Sequence, residues 1–170
     1  MVGAIYPMIT SSEGFAAGQS TESTMSENAP GMRLEDFPFR TYDKVRYADT
    51  DRQGHVNNAA FATYCETGRV EFLFDPEQPL YPPGAAFVIA RLALDFRAEI
   101  RWPGTVGIGT RVEQIGRSSL TLKQALFQGE RLAATAETVI VLMDEETRRS
   151  TPLPPATVDA LRKLMAVQDR

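Results

Sequence analysis

Four long runs in the second half of the chain, Phe87–Ile100, Val106–Ile115, Leu120–Phe127 and Leu132–Met143, mostly alternate apolar and polar side chains. An alternation of period two puts every second side chain on one face of a pleated strand, so each run predicts a strand with one buried face. The breaks between them, Trp102-Pro103-Gly104, Gly116-Arg117-Ser118 and Gln128-Gly129-Glu130, are short and rich in turn formers. Such breaks suit turns between strands. The runs therefore predict four consecutive antiparallel strands, whose apolar face something else must cover.

One segment has the period to cover it. Phe61, Tyr64, Cys65, Gly68 and Phe72 recur at helical spacing, after Asn57 or Asn58 as N-cap and before the stop at Asp75-Pro76. Gly68 costs about 1 kcal/mol relative to Ala in mid-helix, a cost offset if a sheet backbone packs closely on that turn. Ahead of the helix, Phe37 to Tyr47 alternates as a further strand, with Phe39, Thr41, Val45 and Tyr47 on one side and Arg40, Tyr42, Lys44 and Arg46 on the other. The proline-rich stretch from Pro76 to Gly84 reads as a loop. At the far end, Pro152-Leu153-Pro154-Pro155 leads into a short helix with Val158, Leu161, Leu164 and Met165 on one face. The order of strand, long helix, four strands and short helix predicts an α+β domain over residues 37–170, in which a long helix packs on a curved antiparallel sheet.

Composition narrows the setting. With 170 residues, 43% of them hydrophobic, the chain can bury one core without disulfides or metal. Cys65 is the only cysteine, which rules out an intrachain disulfide and fits a reducing compartment. Residues 1–9 lack a basic segment and a long apolar run, so no signal peptide is expected, and no later stretch is long and apolar enough to span a bilayer. A cytoplasmic, soluble protein is the expectation. Residues 1–36 hold five acids and one base, a balance equal to the whole net charge of −4, so residues 37–170 are neutral. A neutral body without a basic run argues against a nucleic-acid partner. The tail over residues 1–36 is expected to be disordered, and Met8, Met25 and Met32 are alternative starts.

The polar turn between the first strand and the long helix, Tyr47-Ala48-Asp49-Thr50-Asp51-Arg52-Gln53-Gly54-His55-Val56-Asn57-Asn58, holds two carboxylates and the only histidine. A helix start presents N–H groups without intrahelical acceptors and the positive end of the helix dipole. A carboxylate placed just before it can attack a carbonyl that those N–H groups polarise. Both aspartates also suit turn structure, and Asp49 is assigned to holding the turn through local hydrogen bonds. His55 has no second ligand candidate nearby, so no metal is expected, and it is read as a supporting, substrate-lining residue. Capping accounts for the Asn57 and Asn58 side chains, which leaves the backbone N–H near Asn58 as the functional candidate. Glu66 pairs with Arg69 at i,i+3 in the simplest reading, and Cys65 is a packed helix residue with no adjacent base.

Tyr47-Ala-Asp-Thr-Asp51-Arg-Gln-Gly54-His55-Val-Asn57-Asn58-Ala-Ala-Phe61, followed by Tyr64-Cys-Glu66-Thr-Gly-Arg69, resembles the signature of the 4-hydroxybenzoyl-CoA thioesterase-like family of hotdog-fold acyl-CoA thioesterases. The resemblance covers about residues 38–155 in element order. It implies a sheet wrapped round the long helix, two subunits joined sheet edge to sheet edge with active sites at their interface, and hence a homodimer or a dimer of dimers. It further implies an acyl-CoA substrate, with CoA as part of the substrate and no separate cofactor. Asp51 aligns with the family's catalytic carboxylate, nucleophile or general base for water. Asn58 aligns with the position whose backbone N–H binds the thioester oxygen.

Members acting on short-chain or phospholipid-linked substrates often carry His where Asn58 stands, with a Tyr matching Tyr47. Here His55 lies three residues earlier, in a Gly54-His55-Val56-Asn57-Asn58 pattern shared with plant acyl-carrier-protein thioesterases. Those enzymes have a catalytic Asn where this chain has Gln53, so that role is not carried over. Some hotdog thioesterases use a helix carboxylate, which makes Glu66 a supporting candidate. Arg117, Ser118 and Ser119 resemble the segment that meets the nucleotide phosphates of CoA. Two other readings stay open: an enoyl-thioester hydratase-dehydratase, against which the four-residue spacing of Asp51 and His55 counts, and a non-catalytic acyl-thioester-binding module.

Overall fold

The computed structural model describes residues 31–77 and 79–165. The expected tail and the starts at Met8 and Met25 lie outside these residues as far as Pro30. Leu34–Asp36 form a single 3-10 turn, from which Leu34 packs with Phe37 against Phe127. The elements that follow are β1 (Phe39–Lys44), α1 (Asn58–Leu73), β2 (Ala85–Phe96), β3 (Thr105–Ile115), β4 (Ser119–Gln128), β5 (Arg131–Asp144) and α2 (Pro155–Arg162).

The strands form one antiparallel sheet in the order β1-β3-β4-β5-β2. The four alternating runs are thus strands, and the last three are joined by tight hairpins. Against expectation, the break at Trp102-Pro103-Gly104 does not pair its flanking strands, because β2 lies on the far side of β5 and β3 lies between β1 and β4. Register shifts between Ile89 and Arg91 and between Val112 and Gln114 mark extra residues, which bend a strand and deepen its twist. The sheet curves under α1, whose buried face carries Phe61, Tyr64, Cys65, Gly68, Arg69 and Phe72. Asn57 is the N-cap, its side chain accepting from the Ala59 N–H at 2.9 Å.

Three further expectations change. The first strand stops at Lys44 rather than Tyr47, because Asp49 draws the chain into a 3-10 turn over Tyr47–Asp49 by accepting from the Arg46 N–H at 2.9 Å. The close approach at Gly68 comes from side chains, not sheet backbone. A Cβ there would lie 2.6 Å from Ile108 Cγ2, 2.9 Å from Gln124 Nε2 and 3.0 Å from Thr110 Oγ1. The terminal helix ends at Arg162, so Leu164 packs on the core from beyond it and Met165 instead bridges to Val112.

A polar layer divides the core. Tyr64, Phe61, Ile100, Ile108 and Leu126 fill one cluster under the first half of α1, and Phe72, Leu73, Leu120, Leu122, Leu142 and Leu161 fill another under its second half. Between them Gln124 donates from Nε2 to the Cys65 carbonyl at 2.9 Å and to Thr110 Oγ1 at 3.1 Å. Its Oε1 accepts from Arg69 Nη1 at 3.4 Å and Thr138 Oγ1 at 3.5 Å. No described helix is long and apolar enough to cross a membrane.

Candidate active site

The turn before α1 is built almost entirely by its own backbone. The Val45 N–H donates to the Gly104 carbonyl at 2.9 Å, which fixes where β1 delivers the chain. Asp51 N–H donates to the His55 carbonyl at 2.7 Å and Gly54 N–H to the Asp51 carbonyl at 3.0 Å, closing a tight reversal. Gly54 takes φ +76°, a conformation that needs glycine, and a Cβ there would meet nothing within 4 Å, so its contribution is conformational. Val56 N–H then donates to the Ile100 carbonyl at 2.8 Å, tying the turn to the segment after β2.

Asp51 is held by one oxygen. Its Oδ1 accepts from the Gln53 N–H at 2.8 Å and the His55 N–H at 3.2 Å. No described donor is bonded to Oδ2, which leaves it for an incoming group. One helical turn on, the Asn57 cap and carbonyl take the N–H groups of Ala59 and Ala60, each at 2.9 Å. The Asn58 N–H has no acceptor among the described residues. Asp51 and Asn58 line the same open cavity of about 430 Å³, with His55, Phe61, Phe96 and Glu99 among its other walls. Phe61 and Phe96 meet edge to face at 5.0 Å and make its apolar side.

Asp49 supports the turn from beneath. It accepts from the Arg46 N–H, from Arg46 Nε at 3.1 Å and from the Tyr64 hydroxyl at 3.0 Å. Burial alone would raise its pKa, but the hydrogen bonds from Arg46 and Tyr64 outweigh burial and hold the carboxyl below its ordinary range. Burial, reinforced by Asp49, raises the Tyr64 phenol. Its assignment to structure agrees with this geometry.

The other candidates fall in different places. His55 Nε2 lies 3.2 Å from Glu99 Oε2, and Glu99 Oε1 is held by Arg101 at 2.8 Å. The Arg101 hydrogen bond, more than anything else, holds Glu99 below the ordinary carboxylate range. Sequence reasoning missed Glu99, Arg101 and Phe96, since they stand in or just after a strand run and reach the site only through chain folding. Tyr47 turns outward, 74% exposed and edge-on to Trp102, and is not a wall of the cavity. The expected Glu66–Arg69 pair does not form: Arg69 turns under the helix to Gln124 and Thr138, while Glu66 stays exposed. Burial pushes the Cys65 thiol up to about 11, so it remains protonated and unreactive at neutral pH.

Arg117, Ser118 and Ser119 sit at the β3–β4 hairpin, where the Leu153 N–H donates to the Arg117 carbonyl and the Leu142 N–H to the Ser118 carbonyl, both at 2.9 Å. Asp51 belongs to the end of the sheet where β3 begins. At about 3.3 Å per residue, β3 sets the two places roughly 33 Å apart along the strand. One chain does not bring them together. Among the described residues, no three His, Cys, Asp or Glu side chains are grouped to hold a metal ion.

A family model described as the thioesterase-like superfamily matches residues 45–161, a span that takes in the turn, α1, the sheet and most of α2. The chain belongs to this superfamily and is an enzyme of the hotdog fold, as expected from the signature around Asp51. Among its relatives is the acyl-CoA thioester hydrolase YbgC of Escherichia coli, 28% identical over 124 residues that cover 71% of this chain and 92% of the relative. A solved thioesterase from Thermus thermophilus, complexed with coenzyme A and zinc, is 33% identical with a TM-score of 0.67. The match covers 76% of this chain and 96% of that one. The chloroplastic acyl-acyl carrier protein thioesterase ATL2 of Arabidopsis thaliana is 32% identical over 88 residues, 50% of this chain and 47% of the relative.

Proposed function

We propose that the protein is an acyl-CoA thioesterase of the cytoplasm, hydrolysing an acyl-CoA to a carboxylic acid and free CoA. The supporting observation is the meeting, in one cavity, of a carboxylate anchored by a single oxygen and a helix-start amide without an acceptor. In this reading the thioester oxygen accepts from the Asn58 N–H, where the helix dipole favours the charge that gathers as the carbonyl is attacked. Asp51 Oδ2 either adds to the carbonyl carbon and expels the thiolate, leaving a mixed anhydride for water to open, or takes a proton from the attacking water. His55, steadied by Glu99, completes the wall and carries no proton in either route.

The body from residue 37 acts as one catalytic domain, and two copies join along β2. Among the described residues this strand has a neighbour on its β5 side alone, and its 12 residues include exposed Ile89 and Phe96. A long edge with exposed apolar side chains is a surface that natural proteins cover. A twofold pairing of β2 with its copy runs antiparallel, so the Phe87 end of one strand lies beside the Phe96 end of the other. Arg117, Ser118 and Ser119 stand at the Phe87 end and bind the phosphates of CoA held at the other subunit's Asp51. This accounts for their distance from Asp51 in their own chain.

Thiol release over a panel of acyl-CoAs tests the reading, with solution mass to test the dimer. Turnover of at least one acyl-CoA by a dimer or tetramer is expected. Absence of thiol from every chain length would overturn it, and loss of enoyl absorbance without thiol would favour a hydratase.

A further inference from the structure

The middle of α1 holds a group that hydrolysis at Asp51 does not use. Arg69 is only 4% exposed, yet its guanidinium forms no ion pair among the described residues. Its Nη1 reaches Gln124 Oε1 at 3.4 Å and Thr138 Oγ1 at 3.5 Å, both neutral and both long against the usual ~2.9–3.0 Å. Burial pushes the guanidinium pKa down, the sign of a cation short of compensation. Nε and Nη2 have no hydrogen-bond partner among the described residues, and since every fully buried side-chain nitrogen or oxygen there has one, neither atom is completely buried. Arg69 lines a cavity of about 230 Å³ between α1 and β2, walled otherwise by Val70, Leu73, Phe74, Phe87, Ile89 and Ile140, with exposed Glu66 at its rim.

Two features define what fits. The volume falls below the roughly 300–1,000 Å³ of whole-ligand sites, so the cavity takes one end of a ligand. The free edge of the guanidinium, Nε–H beside Nη2–H, is the fork that matches the two oxygens of a carboxylate. We propose that this cavity is the subsite for the far end of the acyl group, and that it selects acyl thioesters whose apolar body ends in a carboxylate. The inference rests on the thioesterase reading. Phe87 and Ile89 of the cavity lie at one end of β2 and Phe96 of the Asp51 cavity at the other. Antiparallel pairing of β2 therefore sets the Arg69 cavity of one subunit beside the Asp51 cavity of its partner.

The test uses Asp51→Asn, which keeps bound thioester from turning over, titrated calorimetrically with adipoyl-CoA and hexanoyl-CoA, thioesters of one chain length. Adipoyl-CoA is expected to bind about tenfold tighter or more. Adding Arg69→Met should abolish the preference. So should Val70→Phe, which fills the cavity from a position 43% exposed and decides the matter if the arginine variant does not fold. Equal binding, tighter hexanoyl-CoA, binding of neither, or a preference that survives both substitutions overturns the proposal, as does tighter binding of 6-hydroxyhexanoyl-CoA than of adipoyl-CoA. Thiol release by the unsubstituted protein separates the two claims. No turnover of any thioester with the adipoyl preference intact defeats the thioesterase reading alone, and turnover without preference defeats the subsite alone.

Discussion

The two halves of α1 use polar groups in opposite ways. At its start, Asp51 is exposed and fixed by amides two and four residues away, within a turn that the backbone closes on itself. At its middle, Arg69 and Gln124 are buried and fixed by each other, by Thr110 and Thr138 and by the Cys65 carbonyl, partners 14 to 69 residues apart. A reactive carboxylate needs solvent and a free lone pair. A polar group sealed inside a core needs a partner, since an unsatisfied buried group costs about 1–3 kcal/mol. The start of the helix is therefore where substitution should alter chemistry with little effect on stability, and the middle is where it should alter stability.

The largest stability loss is expected for Gln124→Ala, which takes one hydrogen bond each from Arg69 Nη1, the Cys65 carbonyl and the Thr110 and Thr138 hydroxyls and leaves a new void. About 3–5 kcal/mol should be lost in urea unfolding. Gly68→Ala should lose about 1–3 kcal/mol, because its Cβ has no room beside Ile108 and Gln124. At the turn, Asn57→Ala should cost only about 1 kcal/mol, the worth of a cap. If it cost more than Gln124→Ala, the contrast between the two halves would be wrong.

Asp49 makes a smaller, pH-dependent contribution. Its folded pKa lies below the ordinary 3.8, so its stabilisation is present above that value and lost as pH falls through the folded one. The stability gap between the unsubstituted protein and Asp49→Asn should therefore narrow below about pH 3.8; a gap unchanged down to the folded pKa would contradict the hydrogen bonds from Arg46 and Tyr64. Smallest of all should be the effect of Glu66→Gln on turnover, within about threefold.

The same contrast explains what could be read from the sequence. Period-two runs announced the strands because each face is set locally, and the β3–β4 and β4–β5 hairpins followed from two of the short breaks. The third, at Trp102-Pro103-Gly104, leads to a strand that is not a neighbour, since the choice of β5 as partner for β2 is not set locally. Asp51, Gly54 and the Asn57 cap were legible because their partners lie within a few residues. Glu99 and Phe96 were not, since they reach the cavity from the far edge of the sheet. Arg69 was misread as the surface partner of Glu66, because helical spacing places two residues near each other but does not say which of them points under the helix. Tyr47 was carried into the site by the signature, whereas the Asp49 turn rotates it outward against Trp102.

The most direct test of the site is the turnover of Asp51→Asn on an acyl-CoA that the unsubstituted protein hydrolyses, with thermal unfolding measured alongside. Turnover should fall by about 10²–10⁴-fold with Tm unchanged, because Oδ1 continues to accept from Gln53 and His55 while the attacking carboxylate is gone. Retention of most of the turnover by Asp51→Asn, together with its loss in Glu66→Gln, would contradict the assignment and move the chemistry from the turn to the helix.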